Sequence, residues 1–222
     1  MTANQSAELQ QQYSRRFAAQ RDYRYRVWTV LTRDFFQPWV HGTAAVLDLG
    51  CGWGEFINQI QAGRRYGMDL NSESPQHLQT DVVFFSQDCS TRWPLGEGEL
   101  DVVFTSNFFE HLPDKAALRK TIEEAYRCLK PGGRLICMGP NIQCVPGAYW
   151  DFWDHFIPLT HLSLKEVLEL VGFRVERTVG RFLPYSMSTG FTPPTWVVAV
   201  YLRMPWLWRW FGKQFLVVAR KP

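Results

Sequence analysis

Short apolar runs alternate with segments of helical spacing through most of the chain. The runs that predict buried strands lie at residues 44–50, 64–70, 82–88, 100–107, 134–140, 173–180 and 213–221. Apolar positions three and four residues apart predict helices over 115–129 and 163–171, the latter capped by Ser163 with Glu166 completing a capping box. A shorter helix is predicted near 55–62. Because parallel neighbours need crossover connections, this order predicts a mostly parallel sheet covered by helices on both faces.

The composition predicts one globular core. The chain has 222 residues, 46% of them hydrophobic and 20% charged, and a net charge of +3 without a Lys/Arg block, so nucleic acid is not an expected partner. Five cysteines form no C-x-x-C pair, which favours reduced thiols in a cytoplasm and no zinc site. The first residues lack the apolar stretch of a secretory signal, and we expect a cytoplasmic protein.

A glycine-rich turn follows the first strand in the segment V-L-D-L-G-C-G-W-G-E-F. Gly50, Gly52 and Gly54 permit a sharp bend and the close approach of a ligand. Dinucleotide-binding proteins place pyrophosphate at a similar turn. Here Asp48 precedes the glycines and Glu55 follows them, and these carboxylates would repel a phosphate but attract an ammonium group. The turn therefore predicts a cationic, amino-acid-like ligand.

Two further acids end the next strands. Asp69 closes the second strand, where a carboxylate can accept hydrogen bonds from ribose hydroxyls, a feature shared with dehydrogenases. Asp88 closes the third strand and can accept from an adenine amino group, while the backbone N–H of Cys89 can contact the ring. Together with Asp48, these acids predict a nucleoside site along one edge of the sheet.

Two later motifs complete the pattern. The fourth strand leads into Glu110-His111-Leu112, and the long helix ends in L-K-P-G-G at residues 129–133. With the glycine turn and the strand-end acids, residues 44–140 resemble the class I S-adenosylmethionine-dependent methyltransferases, particularly those that act on small molecules. The resemblance implies an α/β fold: a Rossmann-like, doubly wound, three-layer structure whose seven-stranded sheet is mostly parallel with an antiparallel last strand. It also implies S-adenosylmethionine as the cofactor.

The resemblance also assigns the cofactor contacts. Asp48 and the glycine turn would hold the methionine moiety, Asp69 the ribose and Asp88 the adenine, while Asn107 would line the methionine end. The complete predicted set is Asp48, Gly50, Cys51, Gly52, Gly54, Asp69, Leu70, Asp88, Cys89 and Asn107.

We expect a single methyltransferase domain over residues 1–222. Its predicted parts are an N-terminal helical lid (1–43), a cofactor-binding core (44–140), an acceptor loop (141–162) and a C-terminal part (163–222) with an aromatic insertion at 182–212. The lid function is implied by the resemblance, and simple packing of these helices against the sheet is the alternative.

Histidines are the candidate catalytic residues. Methyl transfer is an in-line displacement that needs mainly alignment, but a hydroxyl acceptor also benefits from a general base. His111 follows the fourth strand and Glu110 could orient it, although the motif could equally just shape the turn. His155 and His161, in the acceptor loop, are alternative bases.

The acceptor loop and the aromatic insertion indicate what kind of molecule or surface the protein contacts. The loop carries Tyr149, Trp150, Phe152 and Trp153, which suit a ring or a sugar. Its acids and histidines match no standard metal spacing, so no metal is predicted. The insertion combines arginines with several large aromatic residues, namely Trp196, Trp206, Trp208, Trp210 and Phe211.

Such a mixture is typical of segments that lie at a membrane interface, although a buried helix or a dimer contact is also compatible with it. Peripheral contact with the inner membrane surface through residues 191–212 is therefore one hypothesis beside these alternatives, and we make no prediction of the oligomeric state.

The predicted function is O-methylation of a small-molecule or glycan acceptor, with a lipid-linked saccharide as one form of it. Two alternatives stay open at this point. A nicotinamide-dependent oxidoreductase would share the strand, the glycine turn and the ribose acid, and a non-catalytic module would bind an adenosyl ligand without turnover.

Overall fold

One seven-stranded sheet runs through the structure, a computed structural model that describes residues 21–185 and 192–222. The strands are β1 (Ala45–Leu49), β2 (Arg64–Met68), β3 (Val82–Phe85), β4 (Leu100–Ser106), β5 (Leu129–Pro140), β6 (Arg174–Val179) and β7 (Gln214–Arg220). Their order is β3-β2-β1-β4-β5-β7-β6, and only β7 runs antiparallel to its neighbours. The predicted Rossmann-like sheet with an antiparallel last strand is confirmed.

Helices cover both faces of the sheet, as predicted. They are α1 (Arg21–Leu31), α2 (Lys115–Cys128), α3 (His161–Val171), α4 (Thr195–Leu202) and α5 (Pro205–Phe211). All five residues of β1 are buried, and successive side chains enter opposite cores. Leu47 and Leu49 pack in the cluster that includes α2 and α3, whereas Val46 packs in the one that includes α1, α4 and α5. The sheet therefore forms the middle of three layers.

The segment predicted as a helix at 55–62 forms hydrogen-bonded turns instead. The Arg65 guanidinium donates to the carbonyl oxygens of Ile57 (3.0 Å) and Asn58 (3.2 Å). In a regular helix those oxygens would accept N–H groups four residues later. A side chain from β2 therefore replaces the hydrogen bonds that would have continued the helix.

The start of α3 also differs from the prediction. Thr160, not Ser163, is the N-cap, and Ser163 occupies the position from which its side chain completes the capping box. The Thr160 Oγ1 atom accepts from the Ser163 N–H and the Ser163 Oγ atom accepts from the Thr160 N–H, both at 3.0 Å. The N-cap therefore lies three residues earlier than predicted, and Glu166 is not part of the capping box.

The strand β5 starts at Leu129, before the Pro131-Gly132-Gly133 turn that was predicted to precede it. Its pairing with β4 shifts register between Leu100 and Val102. Gly132 has a left-handed φ of 85°, so the irregularity absorbs the Pro-Gly-Gly segment within the strand.

The part of the aromatic insertion that the structure describes includes two short helices, α4 and α5, which pack against α1 and the sheet. Trp208 is buried among Phe35 and Phe182, and its indole N–H donates to the Tyr201 carbonyl oxygen at 2.9 Å. The prediction of an interfacial Trp208 is therefore wrong, because this ring anchors α5 to the core. None of the described helices has both the length and the apolar character to cross a membrane.

This packing predicts a contrast between two tryptophans of the same helix. We expect Trp208→Ala to lower the free energy of unfolding by roughly 3–5 kcal/mol, because it empties a buried site. Trp210, whose side chain is 78% exposed, should cost about 0.5 kcal/mol or less when replaced by Ala. Urea denaturation of both variants measures the difference, and equal losses would contradict the assignment of Trp208 to the core.

Candidate cofactor and acceptor site

The glycine turn is held in a conformation that favours glycine at three positions. Gly50, Gly52 and Gly54 have φ angles of 71°, 51° and 78°. A Cβ atom on Gly50 would lie 2.3 Å from the Phe108 ring, and one on Gly54 would lie 2.6 Å from the Leu78 side chain. The turn therefore needs glycine both for its backbone and for the side chains that pack onto it.

A buried carboxyl group, Asp48, and a half-buried one, Asp69, lie beside the turn. Burial, followed by the charges of Glu55 and Asp69, raises the pKa of Asp48 well above its usual range. The Asp69 Oδ2 atom accepts from the Gly52 N–H at 2.8 Å, and its Oδ1 atom accepts from the Asn71 N–H at 2.8 Å. Burial raises the pKa of Asp69 while these hydrogen bonds lower it. The turn is therefore tied to β2 through a carboxylate, inside a negative potential.

Glu55 has a partner that the sequence analysis missed. Its Oε1 atom lies 2.7 Å from an Arg24 guanidinium nitrogen, and both side chains are only 12% exposed. On the same helix, Arg21 hydrogen-bonds His77 Nδ1 at 2.9 Å and stacks over the Trp53 ring. The arginines of α1 are three residues apart, a spacing that places them on one helix face. They fasten α1 to the turn, and Arg24 offsets part of its negative charge.

The remaining predicted cofactor residues lie at the same carboxyl edge of the sheet, with some differences. Asp88 lies in the loop three residues after β3, is exposed, and accepts from the Ser90 N–H (2.8 Å) and hydroxyl (2.7 Å). The placement at the strand end is therefore wrong, because β3 stops at Phe85. The Cys89 thiol is buried 3.4 Å from the Thr121 hydroxyl.

Asn107 follows β4 directly and adopts a left-handed φ of 49°, unique among non-glycine residues of the described ranges. Its N–H donates to the Met138 carbonyl oxygen at 2.9 Å. Such a conformation is unfavourable for most side chains and often occurs at functional sites. Leu70, next to Asp69, is 54% exposed and adds an apolar side chain at the same edge.

These residues fit an adenosyl amino acid better than a pyrophosphate. Asp48, Glu55 and Asp69 lie close enough to interact beside the turn, and a cationic group there would stabilise their ionised forms. A carboxylate accepts about four hydrogen bonds, so Asp69 keeps capacity for a ribose hydroxyl beyond its N–H partners. The carboxyl edge of an open α/β sheet is also where such ligands bind.

A second cluster lies directly after β4 and brings two of the predicted histidines together. The rings of His111 and His155 are 4.9 Å apart, and the His111 Nδ1 atom lies 2.9 Å from the Asp154 carbonyl oxygen and 3.3 Å from its Oδ2 atom. Glu110 is buried beside them, and its carbonyl oxygen accepts from the backbone N–H of Phe156. The acceptor loop therefore folds back onto the E-H-L motif.

The cluster shifts two pKa values. Burial raises the pKa of Glu110 to about 7. For His111, burial lowers the pKa, but the hydrogen bond to Asp154 and the charges of Glu110 and Asp154 together raise it above its usual value. Glu110 is therefore poised to change protonation near neutral pH, and His111 holds its proton more tightly than a free histidine does.

The ligand atoms of Glu110, His111 and His155 lie within 4.8 Å of one another, a grouping that could hold a metal ion. Sequence spacing missed it, because its members come from two separate segments. His161 lies apart from this cluster, where its Nδ1 atom is 3.0 Å from the Asn141 side-chain nitrogen.

Comparison with known proteins decides between the open alternatives. The sequence model of a methyltransferase domain family matches residues 17–178. The chain belongs to this family. Its class I architecture and S-adenosylmethionine as its cofactor follow from that membership, and the nicotinamide-dependent alternative is set aside.

Similar proteins support the same assignment of this methyltransferase domain. A protein of Mycolicibacterium smegmatis named as a probable S-adenosylmethionine-dependent methyltransferase is 33% identical over 143 residues, which are 62% of this chain and 54% of that protein. A demethylmenaquinone methyltransferase of Lactiplantibacillus plantarum is 32% identical over 132 residues, covering 52% of this chain and 54% of its own. The chain spans about half the length of the curated relatives it matches.

The fold of the methyltransferase domain matches a solved structure over nearly its whole length. A SAM-dependent methyltransferase from Archaeoglobus fulgidus superposes with a TM-score of 0.67 and 23% identity, covering 92% of this chain and 99% of that chain. At this identity the match shows the fold alone.

The buried Glu110 predicts a pH-dependent stability. Its pKa in the fold is raised, so its stabilising contribution is complete below about pH 4.5 and is lost as the pH rises through about 7. We expect Glu110→Gln to gain up to roughly 3 kcal/mol over the unmodified chain between pH 5 and 8. Denaturation midpoints measured across this range test the difference.

Glu166→Gln, a change on the exposed face of α3, is the matched control and should follow the unmodified chain at every pH. A Glu110→Gln profile parallel to that of the control would contradict a raised pKa for Glu110 in the fold.

Proposed function

We propose that the methyltransferase domain methylates a hydroxyl oxygen of a small-molecule acceptor. The observation that carries this proposal is the His111 cluster, which stands after β4 at the same sheet edge as the glycine turn. When bound, S-adenosylmethionine supplies an electrophilic methyl group on a positively charged sulfur. Asp48 and the glycine turn would hold its methionine part, and Asp69 its ribose.

His111 is the base in this proposal because of its hydrogen bonding. A carbonyl oxygen only accepts, so the contact with the Asp154 carbonyl requires that Nδ1 carries the proton of the neutral ring. The Nε2 atom of His111 then has a free lone pair for the proton of an acceptor hydroxyl. The carboxylate of Asp154, 3.3 Å away, and that of Glu110 stabilise the imidazolium that forms.

The other two candidate bases differ in their distance from His111, because His155 contacts it and His161 does not. His155 stacks on Phe152 with ring centroids 4.9 Å apart and contacts His111, so it can form part of the acceptor wall or pass on the proton. His161 lies beside Asn141 and Gly180, at the β6 side of the sheet. We therefore place His161 outside the proton-transfer step.

The acceptor is inferred to be an amphiphile with a hydroxylated ring or sugar. Trp150, Trp153 and Phe156 of the acceptor loop are exposed near the His111 cluster and offer apolar faces to such a group. The Lactiplantibacillus plantarum relative is named for a quinone acceptor. A lipid-linked saccharide or other glycan would use the same aromatic faces, and its lipid part would bring it to a membrane.

We also infer peripheral contact with a membrane through residues 191–212, described from residue 192 onward. Trp206 and Trp210 lie four residues apart on one face of α5 and are 59% and 78% exposed. Tryptophan is favoured at head-group depth, and Arg209 on the same helix can reach phosphate.

The base assignment predicts the effect of His111→Ala. We expect turnover with a hydroxyl acceptor to fall by roughly 100-fold or more while S-adenosylmethionine binding is retained, because only proton removal is lost. The rising limb of the pH–rate profile should lie above the usual histidine value, since the pKa of His111 is raised. Steady-state kinetics and calorimetry measure the two effects.

His161→Ala is the matched control and should keep turnover within about threefold. Near-normal turnover of His111→Ala would contradict this assignment, and loss of cofactor binding by that variant would mean that the change disturbed the fold.

A further inference from the structure

The charges of the chain are segregated along the sequence. All 21 acidic residues precede residue 177, together with 17 of the 24 basic ones. The last 46 residues contain no acid, and their seven basic residues are Arg177, Arg181, Arg203, Arg209, Lys213, Arg220 and Lys221. The part of the chain that includes α4 and α5 is therefore strongly basic, although the whole chain carries only +3.

Exposed tryptophans lie within this basic part. On α5, Trp206 and Trp210 face away from the core that Trp208 fills. On α4, Trp196 is 67% exposed and Val200, four residues later, is also exposed. Single exposed aromatic residues are common on protein surfaces, but three exposed tryptophans on two adjacent helices indicate an interaction surface.

A groove of about 470 Å³ lies beside α5, at the carboxyl end of β6 and the segment that follows β5. Arg181 and Arg209 line it together with Asn141, Gln143 and His161, and none of its lining residues is acidic. Both arginines are exposed, and neither forms an ion pair with any other residue in the described part of the chain. Two guanidinium groups are therefore available to one anion.

The polar groups at the groove are arranged to donate. The Asn141 side-chain nitrogen donates to the Gly180 carbonyl (2.8 Å) and lies 3.0 Å from His161 Nδ1. Burial lowers the pKa of His161, so this ring is neutral at pH 7 with its remaining proton on Nε2. Both N–H groups of the Asn141 amide are used within the protein, so the donors left for a phosphate are the two guanidinium groups and the His161 Nε2–H group. Such donors without a carboxylate form a suitable environment for phosphate.

We propose that this groove binds the phosphate headgroup of an anionic phospholipid while Trp206 and Trp210 insert at the membrane interface. The proposal rests on the peripheral membrane contact proposed above and adds the site that selects the lipid. Arg209 links the two features, because it lines the groove and lies on α5 between the two exposed tryptophans. A lipid, unlike a free phosphate, would engage the groove and the tryptophans together.

Flotation of the full chain with vesicles tests the proposal. The vesicles are pure phosphatidylcholine, or phosphatidylcholine with about one-third phosphatidylglycerol. The chain should partition about tenfold or more in favour of the anionic vesicles. Arg181→Gln/Arg209→Gln should abolish most of that preference, whereas Arg203→Gln/Lys213→Gln, which removes the same charge outside the groove, should keep most of it. Trp206→Ser/Trp210→Ser should weaken binding to both vesicles.

The outcomes separate the two proposals. Equal losses in both charge variants would mean diffuse attraction and would overturn the groove as a site, while leaving the membrane contact intact. No flotation of the unmodified chain with either vesicle would overturn both. Inorganic phosphate that binds at the groove as tightly as the vesicles do would overturn the lipid as ligand. S-adenosylmethionine binding and denaturation midpoints of each variant verify that it folds, and none of these readouts depends on methyl transfer.

Discussion

The structure depends on a glycine turn that is tied down by carboxylates at the end of the first strand. The Asp69 carboxylate accepts from the Gly52 N–H, and Asp48 is buried next to it, so the backbone of the turn is fixed by negatively charged groups. Burial is the main cause of the raised pKa of Asp48, and the charges of Glu55 and Asp69 raise it further, so placing these acids together is unfavourable. A bound cationic group would relieve that repulsion, so the same interaction that shapes the turn selects its ligand.

Arg24 weakens the repulsion between these acids but does not remove it. Its ion pair with Glu55 offsets part of the negative charge and holds α1 against the turn, while Asp48 and Asp69 still interact with each other. One ion pair therefore both holds α1 against the turn and sets part of the charge at the turn. The packing of α1 against α4, including the hydrogen bond from the Tyr23 hydroxyl to the Pro193 carbonyl oxygen, extends these contacts to the aromatic insertion.

The sheet and the cofactor edge were predictable because they rest on local patterns. An apolar run predicts a strand, and an acid after it lies at the carboxyl edge, whatever the position of that strand in the sheet. The seven strands and the proximity of Asp48 to Asp69 could therefore be predicted. The turns at 55–62, the Arg24–Glu55 pair and the buried Trp208 depend instead on contacts between different elements. Arg65 on β2, for example, donates to the Ile57 carbonyl oxygen. For the same reason the contact between His111 and His155 was not predictable, although the sequence did identify both histidines as candidate bases.

The most direct test of the central claim is calorimetric titration of the chain with S-adenosylmethionine, and separately with NAD, at low ionic strength. A turn held by buried carboxylates predicts that S-adenosylmethionine binds with a single site and that NAD gives no binding heat. Binding of NAD that S-adenosylmethionine displaces would contradict the account, because it would place a pyrophosphate against Asp48 and Asp69.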